Sequence, residues 1–301
     1  MITLLFGENN YQIRQQLKSI LHEFEQKEAI ERFDGDSISR QDLDNIFGAL
    51  SLFSTRRLII VKDLGSNKDL WGELAERLDD ISDETHLVII EETPDKRTKT
   101  FKQLQKKAEI FEAKNLSEIE TLAWLLEKAK ENGSPIDASS AKRLIDRVGL
   151  DQWHLHFALE KLHGLSDISP ELIEDIVEAS AQANVFSAID TILNKQSQRS
   201  QELLAILRTS EDAYFFFGLL AGQLFQLIAL AVSGKPPQQV AGDLKVHPYP
   251  LQKMQQYARG LTKEEITFIA ETLGECDDRL KRSGADPWLV MEQAMVKLAS
   301  R

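Results

Sequence analysis

Ile2-Thr3-Leu4-Leu5-Phe6-Gly7-Glu8-Asn9-Asn10-Tyr11-Gln12-Ile13-Arg14 reads as a strand, a tight turn and the start of a helix. Residues 2–6 form an apolar run that stops at Gly7, after which Ile13, Leu17, Ile20, Leu21 and Phe24 recur at helical spacing. The alternation continues through the first third of the chain. Ala29–Phe33, Leu58–Val61, Leu87–Ile90 and Glu109–Ala113 have strand character. Between them, Leu43, Ile46, Phe47 and Leu50 mark a helix face. Leu70, Leu74 and Leu78 mark another, with Trp71 beside the face, and Lys96–Lys107 looks helical. Near-continuous apolar strands separated by helices predict a parallel sheet covered on both faces.

In such a domain the first strand-to-helix turn is the place for Gly-x-x-x-x-Gly-Lys-Ser/Thr. There the glycines let backbone N–H groups cradle phosphate, the lysine neutralises it and the hydroxyl holds magnesium. Aligned on Gly7, this chain has Gln12 for the second glycine, Ile13 for the lysine and Arg14 for the hydroxyl. Three of the four chemistries are missing, so Gly7, Gln12, Ile13 and Arg14 read as a degenerate, non-functional phosphate loop. A later strand ends in Glu91-Glu92, where an acidic metal-and-water pair would sit. With no cradle to serve, the two acids read as solvated strand-end residues; a residual nucleotide hydrolase, with these acids catalytic, is the rival.

From Ser117 the strand signal ends. Ser117 and Glu120 form a capping-box pattern ahead of Leu122, Leu125, Leu126 and Ala129. Gly133-Ser134-Pro135 and Gly149 mark turns, and Ser169-Pro170 opens a helix with Pro at its first position. Ala179-Ser180-Ala181-Gln182-Ala183 reads as a linker, and further helices break near 234–237, 247–250 and 284–287. The expected domains are 1–116 (α/β), 117–180 (a small helical bundle) and 181–301 (a larger helical domain).

Among the 301 residues 42% are hydrophobic, enough for sizeable cores, and the net charge of −12 argues against a chain that coats nucleic acid by itself. The one cysteine, Cys276, rules out an intrachain disulfide and suits a reducing cytosol. The N-terminus has neither a basic leader nor a long apolar run. The most apolar stretch, Tyr214–Val232, contains Gln223 and Gln226 and reads as a buried helix rather than a membrane span. His154 and His156 lie on different helix faces, so they do not converge on a metal; no catalytic triad, metal site or cofactor site is expected. Lys96, Arg97, Lys99, Lys102, Lys106 and Lys107 form the one dense basic stretch, either a solvated helix face or a DNA contact. Arg279, Lys281 and Arg282 are a weaker candidate of the same kind.

Leu50-Ser51-Leu52-Phe53-Ser54-Thr55-Arg56-Arg57 is the oddity of the first domain, because Leu52 and Phe53 occupy a position where turns favour small polar residues. Two readings follow. The pair folds inward and staples the helix to the sheet, or it projects as an apolar anchor for another protein, with Arg56-Arg57 as a polar hinge into the next strand.

Taken in order, five stretches resemble the delta subunit family of the bacterial DNA polymerase III clamp loader over essentially the whole length. They are Leu4-Leu5-Phe6-Gly7-Glu8, Leu50 through Val61, Asp95-Lys96-Arg97 with its basic helix, Val185-Phe186-Ser187-Ala188-Ile189-Asp190, and Asp277 through Gly284 followed by Glu292. The resemblance implies a degenerate AAA+ architecture: a RecA-like parallel-sheet domain, a helical lid and a helical collar. It implies a non-ATPase subunit of a DNA polymerase holoenzyme in the bacterial cytoplasm, at the nucleoid during replication. Implied partners are the sliding clamp (beta subunit), the ATPase gamma/tau and delta-prime subunits through the collar, and primed DNA within the complex. Clamp binding and opening fall to Leu50, Leu52 and Phe53; burying Leu52 and Phe53 would gain roughly 3–6 kcal/mol before association costs. The Ser-Arg-Cys motif of arginine-finger subunits is absent here. A scaffold that never touches a clamp is the remaining alternative.

Overall fold

The computed structural model describes residues 1–24, 30–48, 56–165 and 167–300. The chain forms two compact units, Met1–Asn115 and Leu116–Arg301. The first contains β1 (Ile2–Phe6), α1 (Asn10–Glu23), β2 (Ile30–Asp34), α2 (Arg40–Phe47), β3 (Arg57–Lys62), α3 (Lys68–Arg77), β4 (Thr85–Glu91), α4 (Lys99–Lys107) and β5 (Glu109–Glu112). All the strand pairings are parallel and the order is β2-β3-β4-β1-β5. Leu4 lies beside Ile89 of β4 and Ile110 of β5, and Ile59 of β3 beside Leu87 of β4.

Side chains alternate across a strand, which divides the core in two. Leu4, Phe6, Ile59, Val61, Leu87 and Ile89 face Leu43 and Ile46 of α2, Leu70, Trp71 and Leu74 of α3, and Phe101 and Leu104 of α4. Leu5, Leu58, Ile60 and Val88 face the other way, onto Ile13 and the half-buried Leu17, Ile20 and Leu21 of α1. This is why the central strands read as unbroken apolar runs, while the edge strands β2 and β5 keep polar, partly exposed residues. Trp71 is buried rather than beside the face. Its indole N–H donates to Thr98 Oγ1 at 3.3 Å, and the Thr100 hydroxyl donates to its backbone carbonyl at 2.7 Å.

The second unit contains α5 (Glu118–Glu131), α6 (Ala138–Val148), α7 (Gln152–Lys161), α8 (Pro170–Ile176), α9 (Ala181–Leu193), α10 (Ser197–Leu207), α11 (Ala213–Ser233), α12 (Pro237–Leu244), α13 (Pro248–Gly260), α14 (Lys263–Arg282) and α15 (Pro287–Ala299). Ser117 and Glu120 close both bonds of the capping box at the start of α5. Two apolar clusters form. Leu125, Leu144, Ile145, Leu155, Leu159 and Ile173 pack between α5 and α8. Phe216, Leu220, Leu224, Leu227, Met291 and Met295 anchor the larger cluster of α9–α15. Tyr249, in the His-Pro-Tyr-Pro stretch that reads only as a helix break, belongs to the smaller cluster although it sits on α13. Lys253, one turn on, pairs with Asp146 of α6 at 2.5 Å.

Two expectations change. Residues 179–183 are not a linker: Ser180 caps α9, its hydroxyl accepting from Ala183 N–H at 3.2 Å, and its own N–H donates to Arg147 C=O at 2.8 Å. Small polar residues suit a helix cap as well as a linker. Nor is the apolar stretch of residues 214–232 simply buried. α11 has the length and composition of a membrane span and a buried face including Phe216, Leu220, Leu224 and Leu227, yet Tyr214, Phe215, Phe225 and Val232 are exposed.

Candidate functional site

In parallel α/β sheets, ligands bind beyond the carboxyl ends of the strands. Here that edge is occupied by the protein itself. Gly7 has φ +128°, and a Cβ there would lie 2.1 Å from the Ala113 carbonyl oxygen, so only glycine fits the turn. The Gly7 N–H donates to the Glu91 and Glu92 carbonyls, each at 3.2 Å, and the Asn9 N–H donates to Ala113 C=O at 3.2 Å. The N-terminus of α1, where a phosphate would accept N–H bonds, is capped by Asn9: its Oδ1 accepts from Gln12 N–H at 3.1 Å and its Nδ2 donates to Lys114 C=O at 3.1 Å. Ile13, at the lysine position, is buried under the sheet; Gln12 is half-buried and Arg14 exposed.

Glu91 and Glu92 are not a solvated pair. Glu92 is exposed, but Glu91 is only 5% exposed, and its Oε1 accepts from Gly65 N–H at 2.9 Å. Burial pushes its carboxyl up to about 7, against the opposing Gly65 hydrogen bond and with help from the Asp63 charge. The side chain thereby ties the short turn Leu64–Ser66 to the end of β4, a role hidden from the sequence because its partner lies far along the chain.

Leu50, Leu52 and Phe53 lie outside the described residues; both flanks are described. Upstream, Ser39 and Asp42 form a capping box on α2, whose Leu43 and Ile46 are buried, and the Arg77 guanidinium sits 4.3 Å from the Phe47 ring centre. Downstream, Arg56 is exposed but Arg57 is not the polar hinge expected. It is 7% exposed and begins β3. Its Nε and Nη2 donate to the two Glu31 carboxylate oxygens at 2.9 and 3.2 Å, and the guanidinium also donates to Asn45 C=O at 3.2 Å and Gly48 C=O at 3.4 Å.

The basic stretch is largely neutralised. Lys96 bonds Glu112 at 2.8 Å with its ammonium over the Phe6 ring, Arg97 grips Asp95 in a fork at 2.9 Å, Lys99 pairs with Glu76 and Lys107 with Asp79. The Arg97 hydrogen bonds hold the Asp95 carboxyl down to about 2. Lys102 and Lys106 are exposed and form no ion pair among the described residues. Exposed pairs are weak, so the paired lysines remain available to a stronger anion. Arg279 bonds Gln293, while Lys281 and Arg282 pair with Asp277 and Asp278 on their own helix. Among the described residues no cluster of His, Cys, Asp and Glu could hold a metal. His154 is exposed, and Cys276 is buried, its thiol pushed up to about 11 by that burial.

Residues 3–114 match the family described as DNA polymerase III, delta subunit, and residues 182–298 match DNA polymerase III delta subunit, C-terminal domain. DNA polymerase III subunit delta of Bacillus subtilis is 28% identical over 219 residues, covering 69% of this chain and 62% of that protein's length. The solved structure of the Bacillus subtilis DNA clamp loader delta protein superposes with a TM-score of 0.75 at 22% identity, covering all of this chain and 95% of that one. The shared fold is AAA+-like, a five-stranded parallel sheet domain followed by helical bundles. Matched at both ends by the two parts of one family, in order, the chain belongs to the DNA polymerase III delta subunit family.

Proposed function

We propose that the chain is the clamp-opening subunit of a clamp loader: it binds a sliding clamp, holds it open and allows it to close on primed DNA, without hydrolysing nucleotide itself. One observation carries this reading. In a chain of the DNA polymerase III delta subunit family, Asn9 and Ala113 fill the position where a nucleotide-binding relative would cradle phosphate. The work of the first unit then lies in contacts rather than catalysis. The name of the Bacillus subtilis structural relative, a DNA clamp loader delta protein, supports the same assignment.

In this reading residues 1–116 carry the clamp-binding element, Leu50, Leu52 and Phe53. Residues 117–180 form the lid and residues 181–301 the collar, which packs against ATPase gamma/tau and delta-prime subunits. Support for a collar contact comes from the exposed apolar face of α11, where Phe215 and Phe225 flank Gly218 and Gly222, at which an added Cβ would meet only open space. Lys102 and Lys106, with the weakly paired lysines around them, are the proposed contact to primed DNA. The setting is the cytoplasm. A clamp is opened only by a ligand that prefers its open shape, so the apolar element must fit the open clamp better than the closed one.

The test is clamp capture by the full chain. Leu52→Ala with Phe53→Ala is expected to weaken clamp binding by at least about 100-fold, the equivalent of roughly 3 kcal/mol, while the protein stays folded. Unfolding of the double variant would instead favour the staple reading. Equilibrium dialysis is expected to show no ATP binding by the isolated chain; micromolar binding would revive the nucleotide hydrolase.

A further inference from the structure

Arg57 is the most heavily committed buried cation among the described residues. α2 ends without a basic residue in its last turn, and Gly48 beyond it is extended (φ −69°) rather than left-handed, so the helix lacks the usual glycine cap. The last carbonyls of a helix need donors. Asn45 C=O already accepts from Gly48 N–H at 3.2 Å, and Arg57, reaching across from the first position of β3, adds to this: Nη1 and Nη2 both donate to Asn45 C=O at 3.2 Å, and Nη1 donates to Gly48 C=O at 3.4 Å. The Glu31 carboxylate of β2 holds the other edge of the guanidinium at 2.9 and 3.2 Å. One planar group thus locks together the end of α2, where the chain departs at Gly48, and the start of β3, where it returns.

We propose that Arg57 is a positioning residue for clamp engagement: by tying Gly48 to β3 and β2 it fixes the chain on either side of residues 49–55. This rests on the reading in which Leu50, Leu52 and Phe53 contact the clamp. Fixing both ends before the partner arrives removes part of the ordering cost of binding. Lysine cannot take over the role. Its ammonium is a point charge that can pair with Glu31, but it lacks the planar fork that also spans two carbonyls. Arg57→Lys therefore separates charge from geometry.

The experiment measures the affinity of the full chain for an immobilised cognate sliding clamp with wild type, Arg57→Lys, Phe53→Ala and the Arg57→Lys/Phe53→Ala pair. Hydrogen exchange of the β3 and β4 amides is recorded on each as a measure of fold. Arg57→Lys is expected to weaken binding about tenfold with strand protection retained. In the Phe53→Ala background, whose residual binding stays measurable, the same change is expected to cost less than tenfold, because a residue that acts only through the clamp-binding element has one anchor fewer to position. Two results overturn the inference while leaving the clamp reading intact. One is wild-type binding by Arg57→Lys when Phe53→Ala is weak; the other is multiplication of the two losses in full, which would mark Arg57 as an independent or purely structural contributor. Wild-type binding by Phe53→Ala and by Leu52→Ala/Phe53→Ala would remove the clamp reading itself, and the inference with it.

Discussion

Replacing Glu91 with glutamine should flatten the pH dependence of the first unit's stability. Glu91 is 5% exposed at the end of β4 and accepts from Gly65 N–H. Burial raises its carboxyl from an ordinary value of 4.5 to about 7. Below pH 4.5 the group is protonated whether the chain is folded or not, so its contribution is fully present. As pH rises from 4.5 the unfolded chain releases the proton while the native state keeps it; beyond 7 the native state must hold a buried charge. Stability is therefore lost as pH rises through this window. At about 1.4 kcal/mol for each pH unit between the two values, the ceiling is about 3.4 kcal/mol. Asp63, which contributes to the rise, has a side chain 38% exposed and is screened by solvent, so about 2–3 kcal/mol is expected. Glutamine stays neutral, and its Oε1 can keep the Gly65 bond. Hydrogen exchange of the β4 amides at pH 5, 6, 7 and 8 reports the opening free energy of this unit alone. The variant should gain about 2–3 kcal/mol on wild type between pH 5 and pH 8. Parallel curves for the two proteins would refute the reasoning.

Gly7→Ala places a methyl group 2.1 Å from the Ala113 carbonyl at φ +128°, and should cost the first unit about 2–4 kcal/mol in denaturant unfolding; a loss below about 1 kcal/mol would mean the turn relaxes freely. Tyr249→Ala removes an aromatic side chain from the α5–α8 core and should cost about 3–5 kcal/mol, with exchange protection lost first in α6 and α13. Lys102→Glu with Lys106→Glu should weaken primed-DNA binding by an assembled loader and reduce its salt dependence; unchanged binding would return this helix to the status of a solvated face.

What was legible in the sequence is what lies close in the sequence. Leu4 and Leu5 point to opposite faces because a strand alternates, so an unbroken apolar run already says that both faces are covered. Ser117 and Glu120 are three residues apart, and their mutual capping is readable directly. Ile13 in place of a lysine is visible without any structure. The misreadings of Glu91 and Arg57 share one cause, a partner far along the chain. Glu91 is 26 residues from Gly65, and Arg57 is 26 from Glu31 and 12 from Asn45; nothing in local composition marks such side chains as buried. α11 failed differently: its sequence is apolar on every side, so only packing decides that Leu224 is covered and Phe225 is not. Leu52 and Phe53 were legible as an anomaly, and the proposal that they, with Leu50, contact a clamp rests on the family resemblance rather than on local physics.

Binding of the full chain to a purified cognate sliding clamp, for wild type and for Leu52→Ala/Phe53→Ala, is the most direct measurement. Wild type should bind and the double variant should lose at least about 100-fold in affinity, with the β4 amides as protected in one as in the other. Equal binding by the two proteins, or no binding by wild type, would contradict the proposed apolar element.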